Sequence, residues 1–516
     1  MKLKTAMILL GVAVSSSTAA AFAVPVARTT EVSEVAAIEL PTADFPVKSP
    51  TRFQAGQTLT LDARLGHTAL GPDSKGETFL FASVAGADEK VSAAPPVNLA
   101  IVIDKSGSMR GQRIANALSA ARSAVERLRD GDMVSVVAFD TRADVVVAPT
   151  RVSDGSRAQI ERDIASIRLG GDTCISCGLE AASRELNRAG LSGDHVNRIV
   201  LLSDGATNHG VTDMPGLRTI ASRMRDNGLT ISTIGVDVDF DEKVMGALAQ
   251  EGNGKHYFVK DPSTLADIFA EEFDSVLSSI ASSADMVVEL EPGVEVAEVF
   301  DRSFRRDGNK ITIPFGAFSA KQEKTALLRL RVPTDRAGDQ KVAHVRLMYK
   351  DLGKRNDALC EGSLALKVTD DEHAQKELDP FVSARLERSR TAQTLTEANK
   401  LFQVGRVDEA RARLDTRRQE LAVRERSAVA LAKTDGFAAG PAKNTRPVDR
   451  DFEEQQAVVA QADKGFAVPQ AAARPQPFPG RGGGSPASAP PAPAQESADG
   501  KGAVRQNQSA VNEMGL

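Results

Sequence analysis

Short apolar runs alternate with amphipathic stretches through the middle of the chain. Residues 97–103 are nearly all apolar and rich in β-branched side chains, which is typical of a strand buried in a parallel sheet. Residues 111–128 then place apolar side chains at helical spacing. Further strands are predicted at 133–139, 143–147, 198–202, 229–236 and 256–259, and further helices from residues 156, 175, 215, 241 and 262. This alternation predicts an α/β fold with a doubly wound, mostly parallel sheet.

Strand patterns also flank this α/β segment on both sides. They fall at 57–65 and 78–84 before it, and at 286–290, 310–313, 325–332, 342–349 and 364–368 after it. Because two strands alone do not make a stable domain, we expect one β-sandwich formed by residues 51–94 and 284–370. The α/β unit of residues 95–283 is then inserted into that sandwich. Two separate small β elements are the alternative.

The two ends of the chain differ from its middle. Residues 1–23 carry Lys2 and Lys4, then an apolar run, then Ala21-Phe22-Ala23, which predicts a signal peptide followed by a linker at 24–50. We find no later stretch long and apolar enough to span a membrane, so a periplasmic or secreted protein is expected.

The region after the predicted sandwich is charged and then low in complexity. Residues 371–433 show helical periodicity broken at Gly405, which predicts an α-helical hairpin. Residues 434–516 are rich in Ala, Pro and Gly, which predicts a disordered tail because too few apolar side chains offset the entropy of ordering.

Composition excludes one class of partner. The 64 Lys and Arg residues stand against 69 Asp and Glu residues, a formal net charge of −5, and aromatic residues make up 4% of the chain. Nucleic acid is therefore not an expected partner, because neither a basic surface nor a stacking platform is available in the composition.

Three polar clusters fall where predicted strands end. The first contains Asp104, Ser106 and Ser108, the second contains Thr173, and the third contains Asp204. In open parallel sheets, ligands bind beyond the carboxyl ends of the strands. All of the candidate ligand atoms are hard oxygens, which suit Mg²⁺, Mn²⁺ or Ca²⁺ better than zinc or copper.

The three clusters in this order resemble the metal ion-dependent adhesion site of von Willebrand factor A (vWA) domains. The resemblance covers about residues 95–283 and extends to exported bacterial proteins in which a vWA domain is inserted in a β-sandwich. It implies a Rossmann-like vWA fold in which Asp104, Ser106, Ser108, Thr173 and Asp204 hold the cation. It also implies that a protein partner supplies an Asp or Glu side chain to complete the metal shell.

Three residues next to the predicted ligands are expected to have roles other than direct metal ligation. Lys105 occupies a variable position of the first loop, where its charge is expected to steer an acidic partner. Asp172 either contacts a metal ligand or caps the helix that starts near Ile175, and we favour the cap. His209 is expected at the edge of the site, where it touches a ligand or faces solvent.

Cysteine usage adds one further feature to the second loop. Cys174 and Cys177 directly follow Thr173 at a predicted helix start. Three interpretations remain open: a structural bridge or no bridge, a redox switch acting on metal affinity, and a pair of zinc ligands. Cys360 is expected to be a buried free thiol.

These observations favour a binding protein over an enzyme. A catalytic metal needs a positioned base or nucleophile, and none of the six histidines lies within the three metal loops. We expect an exported, metal-dependent protein-binding protein of the adhesion type. The alternatives are a structural envelope component in which the metal only stabilises the loops, and, less favoured, a Mg²⁺-dependent hydrolase.

Overall fold

The computed structural model describes most of the chain between residues 50 and 515. The described ranges are 50–71, 74–88, 95–191, 195–204, 207–236, 242–259, 262–371, 378–433, 447–467 and 498–515. The predicted signal peptide and nearly all of the linker lie outside them.

A six-stranded sheet forms the centre of the α/β segment, as predicted. Its strands are β5 (Val97–Asp104), β6 (Met133–Phe139), β7 (Ala143–Arg151), β8 (Val196–Ser203), β9 (Thr230–Val236) and β10 (Asn253–Val259). They lie in the order β10-β9-β8-β5-β6-β7, and all neighbours are parallel except β6 and β7. Strand β5 is therefore central, and its carboxyl end lies between those of β8 and β6.

Helices cover both faces of this sheet. They are α1 (Gln112–Arg127), α2 (Asp154–Ala165), α3 (Ile175–Ala189), α4 (Met214–Asp226), α5 (Glu242–Glu251) and α6 (Leu265–Leu277). Side chains of β5 alternate between the faces: Leu99, Ile101 and Ile103 pack with α1, α2 and α6, whereas Ala100 and Val102 pack with α3, α4 and α5. Burial on both faces explains why the strand is continuously apolar.

Two largely antiparallel sheets contain strands from both sides of the α/β segment. The strands are β1 (Arg52–Gly56), β2 (Leu59–Leu65), β3 (Ala69–Leu70), β4 (Glu77–Gly86), β11 (Ser279–Leu290), β12 (Glu295–Phe300), β13 (Arg305–Asp307), β14 (Lys310–Ser319), β15 (Glu323–Arg331), β16 (Gly338–Asp351) and β17 (Asn356–Val368). One sheet has the order β1-β2-β4-β15-β12 and the other β13-β14-β11-β16-β17-β3. Both contribute to one hydrophobic cluster.

The pattern of apolar residues did not predict every strand of these sheets. Strand β12 is half-exposed and β13 is exposed, so neither carries the apolar alternation that marks a buried strand. The pairing of β4 with β15 joins residues 77–85 to 323–331 over nine residue pairs. Strands far apart in sequence are thereby neighbours.

Four helices follow the antiparallel sheets: α7 (Pro380–Gln403), α8 (Val407–Ala432), α9 (Val448–Phe466) and α10 (Ala498–Gly515). The first two form the predicted hairpin, and Gly405 lies between them with a φ of 83°. The prediction of a disordered tail is wrong for the other two helices. Residues 434–446 and 468–497 of the predicted tail lie outside the described residues.

The reason for this error is local. Residues 434–516 are rich in Pro and Gly overall, but α9 within them places Val448, Phe452, Val459 and Phe466 on one buried face. The Phe466 ring stacks on Phe402 of α7 with ring centroids 4.2 Å apart. The amphipathic helix α9 therefore packs against the hairpin although the sequence around it is rich in Ala, Pro and Gly.

Candidate metal centre

The first predicted metal loop begins at the carboxyl end of β5. The fully buried carboxylate of Asp104 accepts a hydrogen bond from the backbone amide of Ser106 at 2.8 Å and another from the Ser203 hydroxyl at 2.5 Å. Ser203 is in reach because β8 runs parallel to β5, with Leu202 opposite Ile103. Ser203 was not among the predicted site residues, although it directly precedes Asp204.

Burial sets the electrostatics of this carboxylate. It raises the pKa of Asp104 to about 6, even though the hydrogen bonds from Ser203 and Ser106 act in the opposite direction. The negative charge of Asp204 raises this pKa further. The partners of Asp104 in this structure are thus neutral donors, and the nearby charge has the same sign.

Side chains of the first and third loops meet directly. The hydroxyl oxygens of Ser106 and Ser108 are 3.0 Å apart, and the Ser108 hydroxyl donates to the Asp204 carboxylate at 2.7 Å. Arg113 of α1 donates to the other Asp204 oxygen at 2.9 Å and to the Ser108 carbonyl at 2.8 Å. Burial raises the pKa of Asp204, against the opposing effects of Ser108 and Arg113.

Arg113 was not predicted to belong to the site. Its sequence signal is weak because it lies inside an amphipathic helix, where an arginine is usually solvated. The structure shows that one turn of α1 brings it over the first loop, where it supplies positive charge to Asp204.

Backbone contacts position the second loop. Gly170 donates its amide to the Lys105 carbonyl at 2.7 Å, and the Gly107 amide donates to the Gly171 carbonyl at 3.1 Å. The buried Thr173 is then held by Asn208, whose side chain accepts from the Thr173 amide at 2.8 Å and whose amide donates to the Thr173 carbonyl at 3.0 Å. The second loop, which contains Thr173, therefore lies against the first loop, and Asn208 holds Thr173 to the segment that follows Asp204.

Lys105 is engaged within the protein. Its ammonium group donates to Asp140 at 2.6 Å and lies 3.3 Å from Asp144. We expected this charge to steer an acidic partner, but these two carboxylates offset it. Lys105 instead ties the first loop to the end of β6.

Asp140 is a further residue that the sequence analysis missed. It accepts from Lys105 and from the Gly171 amide at 3.3 Å, and its carbonyl accepts from the Cys174 amide at 2.8 Å. Burial alone would raise the pKa of Asp140, but the hydrogen bonds that its carboxylate accepts from Lys105, Arg142 and Gly171, together with the Lys105 charge, outweigh burial and lower the pKa. The signal was available, because Asp140 directly follows β6 as Asp204 follows β8.

Asp172 and His209 both lie exposed beside the second loop. The interpretation of Asp172 as a helix cap is wrong: α3 is capped by Cys174, whose sulfur accepts from the Cys177 amide at 3.3 Å. The Asp172 carboxylate instead lies 3.5 Å from the Asn208 side-chain amide. His209 is solvent-facing, and its backbone amide donates to the Thr173 carbonyl at 3.1 Å.

Cys174 and Cys177 form a disulfide. The interpretation as a pair of zinc ligands therefore does not hold for the disulfide-bonded protein, because the two sulfur atoms are bonded to each other. Cys360 of β17 is a buried free thiol, as predicted.

The residues present fit a hard divalent cation. Among the described residues, no group of three or more His, Cys, Asp or Glu side chains is arranged to hold a metal. A metal here depends on hydroxyl oxygens of Ser and Thr together with Asp104 and Asp204, and such all-oxygen sets suit Mg²⁺, Mn²⁺ or Ca²⁺. Asp104 supports this fit, because a buried carboxylate with neutral donors gains from a nearby cation.

The α/β segment matches a known family. Residues 98–271 match the family model described as the von Willebrand factor type A domain. The chain therefore contains such a domain, with the mostly parallel sheet and flanking helices described above, and the predicted fold is confirmed. All five predicted metal ligands lie within the matched residues.

Relatives match the chain to different extents. An uncharacterized protein of Synechocystis sp. is 28% identical over 57% of this chain and 70% of its own length. Inter-alpha-trypsin inhibitor heavy chain H2 of Mus musculus is 30% identical over 31% of this chain, and the chain spans 17% of its length.

A solved structure resembles more of the chain. The von Willebrand factor type A protein from Catenulispora acidiphila has a TM-score of 0.62, with 20% identity, over 80% of this chain and 98% of its own. This likeness shows a shared fold that extends beyond residues 98–271. Within the part of the chain described by the structure, no helix combines the length and apolarity needed to cross a membrane.

Proposed function

We propose that this protein, which contains a von Willebrand factor type A domain, is an exported binding protein that recognises an acidic group of a protein partner through a divalent cation. The observation that carries the proposal is the hydrogen-bonded set of Asp104, Ser106, Ser108 and Asp204 at the carboxyl ends of β5 and β8. Mg²⁺ is the favoured ion, with Mn²⁺ and Ca²⁺ as alternatives.

The protein's own residues determine which atoms face the ion. Asp104 and Asp204 supply the negative charge and lie buried, whereas Ser108 is exposed at the surface. Ser203 donates a hydrogen bond to the Asp104 carboxylate and Arg113 donates one to the Asp204 carboxylate, so both carboxylates are held in orientation. The charge is thus held at the base of the site, and the exposed Ser108 places one neutral hydroxyl group at the surface.

A cation in such a site supplies an electrophilic position for an oxygen ligand from outside. Because the Ser and Thr ligands are neutral, two carboxylates leave a divalent ion with affinity for a further anionic oxygen. Gly107, Ser108, Gly171 and Asp172 are exposed around the loops, so a partner's Asp or Glu side chain has access. Export rests on the sequence pattern of residues 1–23.

The proposal is tested by capture of partners from an envelope extract on the immobilised protein. Capture is expected in Mg²⁺ and lost in EDTA, and Asp104→Ala is expected to abolish it while the circular dichroism spectrum is unchanged. Asp172→Ala is the matched control, since this exposed carboxylate lies beside the site and outside the ligand set. Equal capture by wild type in EDTA would contradict the proposal.

A further inference from the structure

The disulfide lies where the second and third metal loops meet. Cys174 directly follows Thr173, and Gly210 packs against the bridge so closely that a methyl group added there would lie 2.4 Å from the Cys174 sulfur. The Ser176 hydroxyl on the first turn of α3 accepts from the Val211 amide at 3.0 Å. The bridge is therefore in contact with the segment that follows Asp204.

We propose that the Cys174–Cys177 bridge is a redox-modification site at which an external dithiol lowers the metal affinity of the neighbouring loops. This inference rests on the proposed metal-binding function. It adds regulation of that site by the thiol state of the surroundings.

Packing explains how reduction reaches the metal ligand. When the bond is broken, the two sulfur atoms must separate to van der Waals distance. Cys174 is fully buried against Gly210, so the part of the separation that Cys174 takes up displaces either its own backbone or the turn at residues 208–211. Both movements act on Thr173, because Asn208 holds its amide and its carbonyl.

The exposure of the two cysteines determines which of the two sulfur atoms an external thiolate attacks. Cys177 is half-buried, whereas Cys174 has no exposed surface, so an incoming thiolate reaches the Cys177 sulfur. Attack forms a mixed disulfide with Cys177 and releases Cys174 as a thiolate. The Cys177 amide, 3.3 Å from the Cys174 sulfur, is placed to donate to this leaving group.

A second exchange completes the reaction. The other thiol of the dithiol attacks the mixed disulfide, releases Cys177 and becomes oxidised to its own disulfide. Two electrons and two protons pass to the protein, which gains two thiols in addition to Cys360. The co-reactant is a small or protein-borne dithiol, and the reverse reaction with its disulfide form restores the bridge.

The coupling has a reciprocal consequence that can be measured. If reduction weakens Mg²⁺ binding about tenfold, a typical coupling between two sites, saturating Mg²⁺ must make the bridge tenfold harder to reduce. This second quantity requires neither a partner nor an activity assay.

The experiment uses the mature full-length protein equilibrated with dithiothreitol at a series of thiol-to-disulfide ratios, with and without 10 mM Mg²⁺. Thiols are trapped by alkylation and counted by mass, and Cys360 serves as an internal reference because it is already free. Saturating Mg²⁺ is expected to shift the equilibrium about tenfold toward the bridged form. Calorimetry is expected to show about tenfold weaker Mg²⁺ binding for Cys174→Ser/Cys177→Ser than for Cys360→Ser.

Two results would overturn the inference, and they differ. An identical redox equilibrium with and without Mg²⁺, in a protein whose bridged form binds Mg²⁺, would show that the bridge is only structural and leave the proposed function standing. Absence of Mg²⁺ binding by the bridged protein would overturn both. Because the redox titration uses wild-type protein, the test does not depend on the folding of the double variant.

Discussion

Asp104 and Glu272 are fully buried carboxylates of the same α/β unit, and their surroundings differ. Glu272 of α6 accepts from Arg198 at 2.7 Å, from Ser232 at 2.6 Å and from Tyr257 at 2.8 Å. The donors to Asp104 among the described residues are neutral, and the charge that acts on it is that of Asp204.

The difference separates a charge that is neutralised within the protein from one whose described donors are all neutral. An internal arginine neutralises Glu272, so its burial requires no external ion. Asp104 has no such compensation among the partners described, and it lies at the strand end where ligands bind in open sheets. A buried carboxylate that lacks an internal cation is thus a candidate to bind one from solution.

The largest expected effect on folding is that of breaking the compensated pair. Glu272→Gln should destabilise the metal-free protein by about 3–5 kcal/mol, because it leaves the Arg198 charge buried without its partner. Asp104→Asn should change the stability of the metal-free protein by no more than about 1 kcal/mol, since the Ser203 hydroxyl can exchange its role with the new amide. Urea denaturation in EDTA measures the free energy of unfolding of both variants. Equal losses of stability would show that the two carboxylates do not differ in this way.

Burial of a titratable side chain near Glu272 is also expected to make the stability of the protein depend on pH. Burial lowers the pKa of His256, the neighbour of Tyr257, from 6.5 to about 4. Between these pH values the unfolded chain binds more protons than the folded one, so stability falls as the pH drops from 6.5 toward 4 and levels off below.

The His256 contribution is about 3 kcal/mol over this range. His67, whose pKa burial also lowers to about 4, acts in the same direction. Urea denaturation in EDTA between pH 4 and 7 measures this effect. His256→Gln should flatten the profile without abolishing it, and a variant profile as steep as that of wild type would refute the assignment to His256.

A smaller effect is expected from the residue that connects the metal loops. Asp140→Asn should weaken Mg²⁺ binding about tenfold, as is typical when a group that orients metal ligands is changed. The matched control is Asp144→Asn, which also faces Lys105 but is half-exposed and makes no contact with Gly171. If both variants bind Mg²⁺ like wild type in calorimetry, Asp140 has no role in positioning the loops.

The sequence predicted the α/β part of this picture well for a physical reason. Strands buried on both faces leave continuous apolar runs, and the polar residues directly after them mark one edge of the sheet, so Asp104 and Asp204 were found together. Ser203 and Asp140 follow the same rule, but Ser203 was not predicted as a site residue and Asp140 was not considered. Arg113 was out of reach, because its role depends on the position of α1 over the loop.

In other parts of the chain, the structure depends on tertiary contacts that the sequence pattern does not show. Strand β12 is half-exposed and β13 is exposed, and neither has apolar alternation, so their pairing partners determine them. Helix α9 is stabilised by packing on α7, which composition alone cannot reveal. The cap of α3 was assigned to Asp172 because aspartate is a common cap, whereas the structure uses the Cys174 sulfur.

The central claim is tested most directly by calorimetric titration of Mg²⁺ into the metal-free protein and into Asp104→Asn. We predict one bound ion per chain for wild type and for the exposed control Asp172→Ala, and no measurable binding for Asp104→Asn. Equal Mg²⁺ binding by Asp104→Asn and wild type, or no binding by wild type, would contradict the account.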